Sequence, residues 1–242
     1  MKKQRLDEYL IEHTFASGKD EAFVIVTEGR VFVEGQKAVS PSQMVMPSGI
    51  IEVRSVRPYV GRGAYKLEGA LDAFGISPKG LTCVDIGAAT GGFTQVLLHK
   101  GAAKVYAIDT AKGKLALKLR EDPRVVVREE TDVRHMEKLQ DSVDLVTIDV
   151  SLISLRDILP HARRLAGLHA VVVALFKPQY ETRDPRLLVH GIVRDDTMRQ
   201  ELINDFLEWL DTHQWKVEKW IESPIRGMEG NKEYLFYLTS IF

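Results

Sequence analysis

Val84-Asp85-Ile86-Gly87-Ala88-Ala89-Thr90-Gly91-Gly92-Phe93 carries an apolar run into a glycine-rich turn and out into a helical pattern. Gly87, Gly91 and Gly92 let the main chain bend sharply and come close to a ligand that a Cβ would keep away. The stretch therefore seats a nucleotide-like ligand beyond the end of a strand. Its spacing, Asp85-x-Gly87-x-x-x-Gly91, is not the G-x-G-x-x-G of dinucleotide binders, in which a helix N-terminus receives a pyrophosphate. A cofactor without phosphates fits better, and a nicotinamide dehydrogenase becomes a distant reading.

Outward from this turn the pattern alternates strand and helix, which predicts an α/β fold with a mostly parallel sheet covered on both faces. Seven strands are expected, at 81–86, 104–108, 124–128, 143–148, 170–176, 215–221 and 233–238, the last two as an antiparallel pair. Helices are expected over 64–74, 93–100 and 112–120, and a long one begins at Asp195 or Asp196. Lys66 falls at the border of the first helix's apolar stripe, where it can turn into a cleft. Ligands of open α/β sheets lie beyond the carboxyl ends of the strands, and Asp85, Asp109, Asp149 and Lys177 all sit at such ends. Asp109 is placed to accept hydrogen bonds from a ribose, and the Thr131-Asp132-Val133 loop flanks an adenine. Lys177 closes an apolar run and precedes Pro178, so an isolated ammonium there would be costly and a neighbouring charge is expected.

The chain of 242 residues has 45% hydrophobic residues and balances 33 Lys and Arg against 34 Asp and Glu. It can bury a full core, and any nucleic-acid contact must be a local patch. The longest apolar run, Ala170 to Phe176, is far short of the roughly 20 residues that cross a bilayer. The charged start Met1-Lys2-Lys3-Gln4-Arg5 does not resemble a secretory signal. The lone Cys83 reads as a buried thiol, the histidines form no metal-ligand cluster, and the expected compartment is the cytoplasm. Ahead of the large domain, residues 1–56 predict a small α+β module. Its helices carry Leu6, Leu10 and Ile11, then Ala22, Phe23 and Val26, and its strands fall at 30–36 and 49–53. Residues 57–63, with Pro58, Gly61 and Gly63, read as a linker, and 64–242 as the second domain.

Several strings resemble known families. Arg5-Leu6-Asp7, Glu28 to Gly35 and Pro41-Ser42 resemble the S4-type RNA-binding domain, although Ser17-Gly18-Lys19-Asp20 departs from it where a serine-arginine pair usually opens the second helix. The Asp85 glycine turn resembles the first motif of S-adenosylmethionine-dependent methyltransferases. Gly63-Ala64-Tyr65-Lys66-Leu67, that turn, Asp149 to Leu155, Phe176-Lys177-Pro178-Gln179, Gly191 to Asp195 and Gly230 to Leu235 follow one another as in the TlyA family. That family joins an S4 domain to an FtsJ-like 2'-O-ribose methyltransferase domain and is often labelled haemolysin.

The resemblance implies a Rossmann-like class I methyltransferase acting on a cytidine of ribosomal RNA or ribosomal subunits, with S-adenosyl-L-methionine as cofactor, no metal and a monomeric chain. By carry-over the Lys-Asp-Lys-Glu tetrad falls on Lys66, Asp149, Lys177 and Glu233. Asp85, Gly87, Ala88, Thr90, Gly91, Gly92, Phe93, Asp109, Asp132 and Asp149 would hold the cofactor, and Arg5, Lys19, Arg30 and Arg62 would contact RNA. Two other readings stay open: an RNA-binding or assembly protein with a vestigial methyltransferase fold, and a membrane-lytic haemolysin.

Overall fold

The computed structural model describes residues 3–54, 59–166, 170–182 and 184–240, and the chain divides into two compact units, Met1–Pro58 and Tyr59–Phe242. In the first unit, β1 (Gln4–Arg5) leads directly into α1 (Leu6–Glu12), followed by α2 (Lys19–Thr27), β2 (Val31–Val33), β3 (Gln36–Lys37), β4 (Met44–Val45) and β5 (Ile51–Val53). Strands β3-β2-β5 form an antiparallel sheet, and β1 pairs with β4. Leu6, Leu10, Ala22, Ile25, Val26 and Val31 make the core. Phe23, expected in that stripe, is 58% exposed, and Ile25 occupies the buried position instead.

The second unit opens with α3 (Gly63–Phe74), then β6 (Thr82–Ile86), α4 (Gly92–His99), β7 (Lys104–Ile108), α5 (Leu117–Arg120) and β8 (Val125–Arg128). It continues with β9 (Leu145–Ile148), α6 (Leu155–Leu165), β10 (Val171–Phe176), α7 (Pro178–Glu181), α8 (Asp196–Thr212), β11 (Trp215–Glu222) and β12 (Tyr234–Ser240). The seven strands lie in the order β11-β12-β10-β9-β6-β7-β8, with β12 antiparallel to both of its neighbours and β10, β9, β6, β7 and β8 parallel. Because successive side chains on a strand point to opposite faces, one face packs under α3 and α4 and the other under α6 and α8. Burial on both faces explains the near-continuous apolar strands. Cys83 is fully buried, and burial pushes its thiol up to about 12.

Two elements of the second unit differ most from the sequence expectation. The helix expected over 112–120 is confined to Leu117–Arg120, because the Glu129 carboxylate accepts the main-chain N–H groups of Gly113, Lys114 and Leu115 and pairs with Arg120. A carboxylate that satisfies three successive amides removes the reason for them to join a helix. Conversely, α6 was unread although Leu155, Ile158, Leu159, Ala162 and Leu165 are buried at helical spacing; Pro160 lies inside it. Of the expected linker, residues 57 and 58 lie outside the described residues. Tyr59 and Val60 pack on the α3–α4 cluster, where the Val60 N–H donates to Gln95 Oε1 at 2.8 Å.

Candidate active site

Strand register assembles the site. Ile86 is level with Ile108 on one side and Ile148 on the other, so Gly87, Asp109 and Asp149 emerge side by side at the carboxyl edge of the sheet. Strand β10 runs two residues farther, to Phe176, which pairs with Tyr234 of β12. Because β12 is antiparallel, its start meets the ends of the parallel strands. Lys177, just after β10, and Glu233, just before β12, therefore reach the same edge.

Lys66, Asp149, Lys177 and Glu233 all line one cleft of about 380 Å³. They form two ion pairs. Lys66 Nζ donates to Glu233 Oε2 at 2.5 Å, and both side chains are buried. Lys177 Nζ lies 2.6 Å from Asp149 Oδ1 and donates to Ser151 Oγ at 2.9 Å. The partner charge expected for Lys177 is thus Asp149. Burying one member of such a pair alone would be costly, so each holds the other in place. Thr90, Gly92, Phe93, Arg62, Arg226 and Met228 also line the cleft.

A second cleft of about 950 Å³ adjoins the first, and Gly87, Ala89, Asp149 and Ser151 line both. Its far end holds Ile108, Asp109, Thr131, Asp132 and Val133. Asp109 accepts the main-chain N–H groups of Ala89 and Ala111, each at 2.7 Å. Ala89 has φ +47°, a left-handed conformation that costs an L-residue about 1–2 kcal/mol, and the Asp109 carboxylate secures it. A carboxylate oxygen accepts more than one hydrogen bond, so Asp109 keeps acceptor capacity toward the cleft. Asp132 caps the short turn Val133–His135 and pairs with Arg134, whose guanidinium holds its carboxyl down at about 2.

The glycine turn is shaped for close approach. Gly87 has φ +82°, and a Cβ there would run into the Asp149 carbonyl. Asp85, expected to face the cofactor, lies behind the turn with no exposed surface. Thr94 Oγ1 donates to its Oδ2 at 2.6 Å and Thr147 Oγ1 to its Oδ1 at 3.0 Å. The reason is positional: Asp85 is one residue before the end of β6, level with Ala107 and Thr147, whereas Asp109 and Asp149 follow the ends of their strands. Asp85 is therefore a tie between β6, β9 and α4. Gly91 likewise turns from the cleft and packs against Leu115 and Leu119, while Ala88, Thr90, Gly92 and Phe93 do line it.

The expected RNA contacts fall in different settings. In the first unit Arg5 grips Asp7 through two nitrogens, Arg30 donates to the Arg54 carbonyl, and Lys19 is exposed at the start of α2. In the second unit Arg62 lines the first cleft and donates to the Arg226 carbonyl at 3.1 Å. Sequence reasoning had not singled out Ser151, Gln179, Tyr180 or Arg226. The first three lie inside or next to the Asp149 and Lys177 motifs, which was the available signal; nothing marked Arg226.

A Rossmann-like sheet with an antiparallel β12 inserted beside β10, a glycine turn after β6 and paired lysines at its edge defines a methyltransferase of the class I fold. The FtsJ-like methyltransferase family matches residues 59–240. The chain is 39% identical to the 16S/23S rRNA (cytidine-2'-O)-methyltransferase TlyA of Mycobacterium tuberculosis, covering 99% of this chain and 91% of that one. It is 38% identical to Hemolysin A of Brachyspira hyodysenteriae, covering 96% and 98%. Among solved structures, a candidate hemolysin from Streptococcus thermophilus superposes with a TM-score of 0.74 at 32% identity, over 99% of this chain and 89% of that one. The chain belongs to the TlyA family of FtsJ-like methyltransferases.

Proposed function

We propose that this protein transfers a methyl group from S-adenosylmethionine to the 2'-hydroxyl of a cytidine in ribosomal RNA. One observation carries the reading: both lysine–acid pairs line a single cleft beside the glycine turn. The M. tuberculosis relative's name supports the substrate. The donor fits the adjoining cleft. Gly87 lets a ligand approach the main chain, Asp109 offers acceptor capacity to a ribose diol, and Ile108, Val133 and Asp132 border space for a flat base. When bound, S-adenosylmethionine supplies an electrophilic methyl whose sulfonium charge is lost on transfer, so the reading needs no metal.

The chain's own residues do the rest. A ribose hydroxyl is a weak nucleophile and must be aligned at near-attack distance. Lys177, fixed between Asp149 and Ser151, orients the hydroxyl oxygen and, once its ammonium has given a proton to solvent, takes the hydroxyl's proton in its place. Asp149 then faces the ammonium that results. Lys66, steadied by Glu233, adds positive potential where oxyanion charge develops. We further propose that residues 1–56 are an S4-like RNA-binding module, that 57–63 join it to the methyltransferase domain of 64–242, and that Arg5, Lys19, Arg30 and Arg62 meet RNA phosphates. We also propose that the protein is a monomer and works in the cytoplasm, where a ribosomal substrate is met. Among the described residues no helix is long and apolar enough to cross a membrane.

The test is transfer of labelled methyl from S-adenosylmethionine to purified ribosomal subunits, with the modified position mapped. Label on a cytidine 2'-oxygen is expected with wild type and not with Lys177→Ala. Equal labelling by the two proteins, or none by either, would sink the proposal.

A further inference from the structure

Glu233 is fixed by more than its ion pair. Its main-chain carbonyl accepts the Ser223 N–H at 2.8 Å, and Oε2 is committed to Lys66. The other carboxylate oxygen lies against Gly227: a Cβ at that position would stand 2.5 Å from Oε1 and 3.1 Å from Cδ. A methyl added at 227 therefore forces a shift. The clash of an added methyl would be relieved either by the loop moving or by the carboxylate leaving Lys66.

The loop is not free to move. Gly227 N–H donates to the Asn231 carbonyl at 2.9 Å, and Gly230 N–H to the Gly227 carbonyl at 3.0 Å. Asn231 is 1% exposed and both ends of its amide are engaged. Its Oδ1 accepts the Val193 N–H at 3.0 Å, and its Nδ2 donates to the Gly191 carbonyl at 2.9 Å. That second segment is itself anchored, since the Val193 carbonyl accepts from Arg199 of α8 at 2.6 Å and Ile192 bridges to Val189. Asn231 therefore chains the loop before β12 to the segment before α8. The Gly191-Ile192-Val193 and Gly230-Asn231-Lys232-Glu233 strings, far apart in sequence, are two halves of one clasp.

We propose that Gly227 and Asn231 are positioning residues that set the Glu233 carboxylate against Lys66, Gly227 by leaving room for it and Asn231 by latching its loop. The assignment rests on the functional reading above. Displacing a group of the site by about 1 Å can cost about 100-fold in rate.

The experiment is a double-mutant cycle between Gly227→Ala and Glu233→Ala, with Asn231→Ala alongside. Single-turnover methyl transfer to ribosomal subunits, S-adenosylmethionine affinity by calorimetry and thermal midpoints are measured on each protein. Gly227→Ala and Asn231→Ala should each slow transfer at least tenfold and leave donor affinity within twofold of wild type. Combined with Glu233→Ala, each should add less than a twofold further loss, because the group it positions is gone. Wild-type rates in either single variant, losses that multiply in the combinations, or a loss that follows donor affinity would overturn the proposal. If wild type moved no methyl to ribose, the functional reading would fail by itself. The cycle on thermal midpoints would still decide the positioning claim, with Gly227→Ala expected to destabilise wild type and not Glu233→Ala.

Discussion

The two halves of the sheet's carboxyl edge are built from different materials. Over β6 and β7 the lining includes the small residues Gly87, Ala88 and Ala89, where the main chain lies open to a ligand, and Asp109 is tied to two backbone amides. Over β9, β10 and β12 it is side chains, two lysines each gripped by an acid from another element. A seat made of backbone is defined by shape and fails when a Cβ is added. A seat made of charges is defined by pairing and fails when one partner is removed. Under the proposed function the first holds the donor and the second activates the acceptor.

The largest effect that would break this division is expected at Lys177. Lys177→Ala removes the group proposed to take the hydroxyl's proton, and such general-base losses run to about 10²–10⁴-fold in rate. Transfer should fall by about that factor while calorimetry gives a donor affinity within threefold of wild type. A parallel loss of donor affinity would show that the two halves are one site. Gly87→Ala should behave the opposite way and more mildly. Its φ of +82° and the Asp149 carbonyl in the path of a Cβ force the turn to shift, so donor affinity should drop at least tenfold. Unchanged donor affinity would mean that close approach at Gly87 contributes nothing.

The same contrast governs what a reader of the sequence could see. The glycine turn announces itself because backbone geometry demands particular residues at fixed spacing. Strands such as Val171–Phe176 are legible because burial on both faces leaves no polar position. The acceptor half is different. Lys66, Asp149, Lys177 and Glu233 are scattered over 168 positions and are joined only by strand order, so their grouping came from family resemblance. Glu233 is the instructive member: it precedes its strand, and only the antiparallel direction of β12 brings it to the edge where the others follow theirs. The misreadings have equally local causes. Glu129 captures the amides of a segment whose composition suits a helix, and Pro160 masks the helix that contains it.

Asp85 offers the smallest and most specific test, because it belongs to neither half and supports the turn from behind. Burial pushes its carboxyl up to about 7, against the pull of hydrogen bonds from Thr94 and Thr147, with the Asp149 charge adding to the rise. The folded protein therefore keeps a proton there that the unfolded chain, with a carboxyl near 3.8, has already released. Between about pH 4 and 7 the native state binds more protons, so this group's contribution to stability is greatest in acid and falls as pH rises through the window. Glu129 and Asp132, both held down at about 2, act in the other direction, their contributions fading as pH falls through the ordinary carboxylate range toward 2. Asp85→Asn retains a carbonyl to accept from one threonine and removes the titration. Urea midpoints measured from pH 4.5 to 7.5 should decline more steeply in wild type than in the variant, leaving a descending difference curve. A flat difference would mean that Asp85 is already ionised in the fold, and that the threonine hydroxyls offset its burial in full.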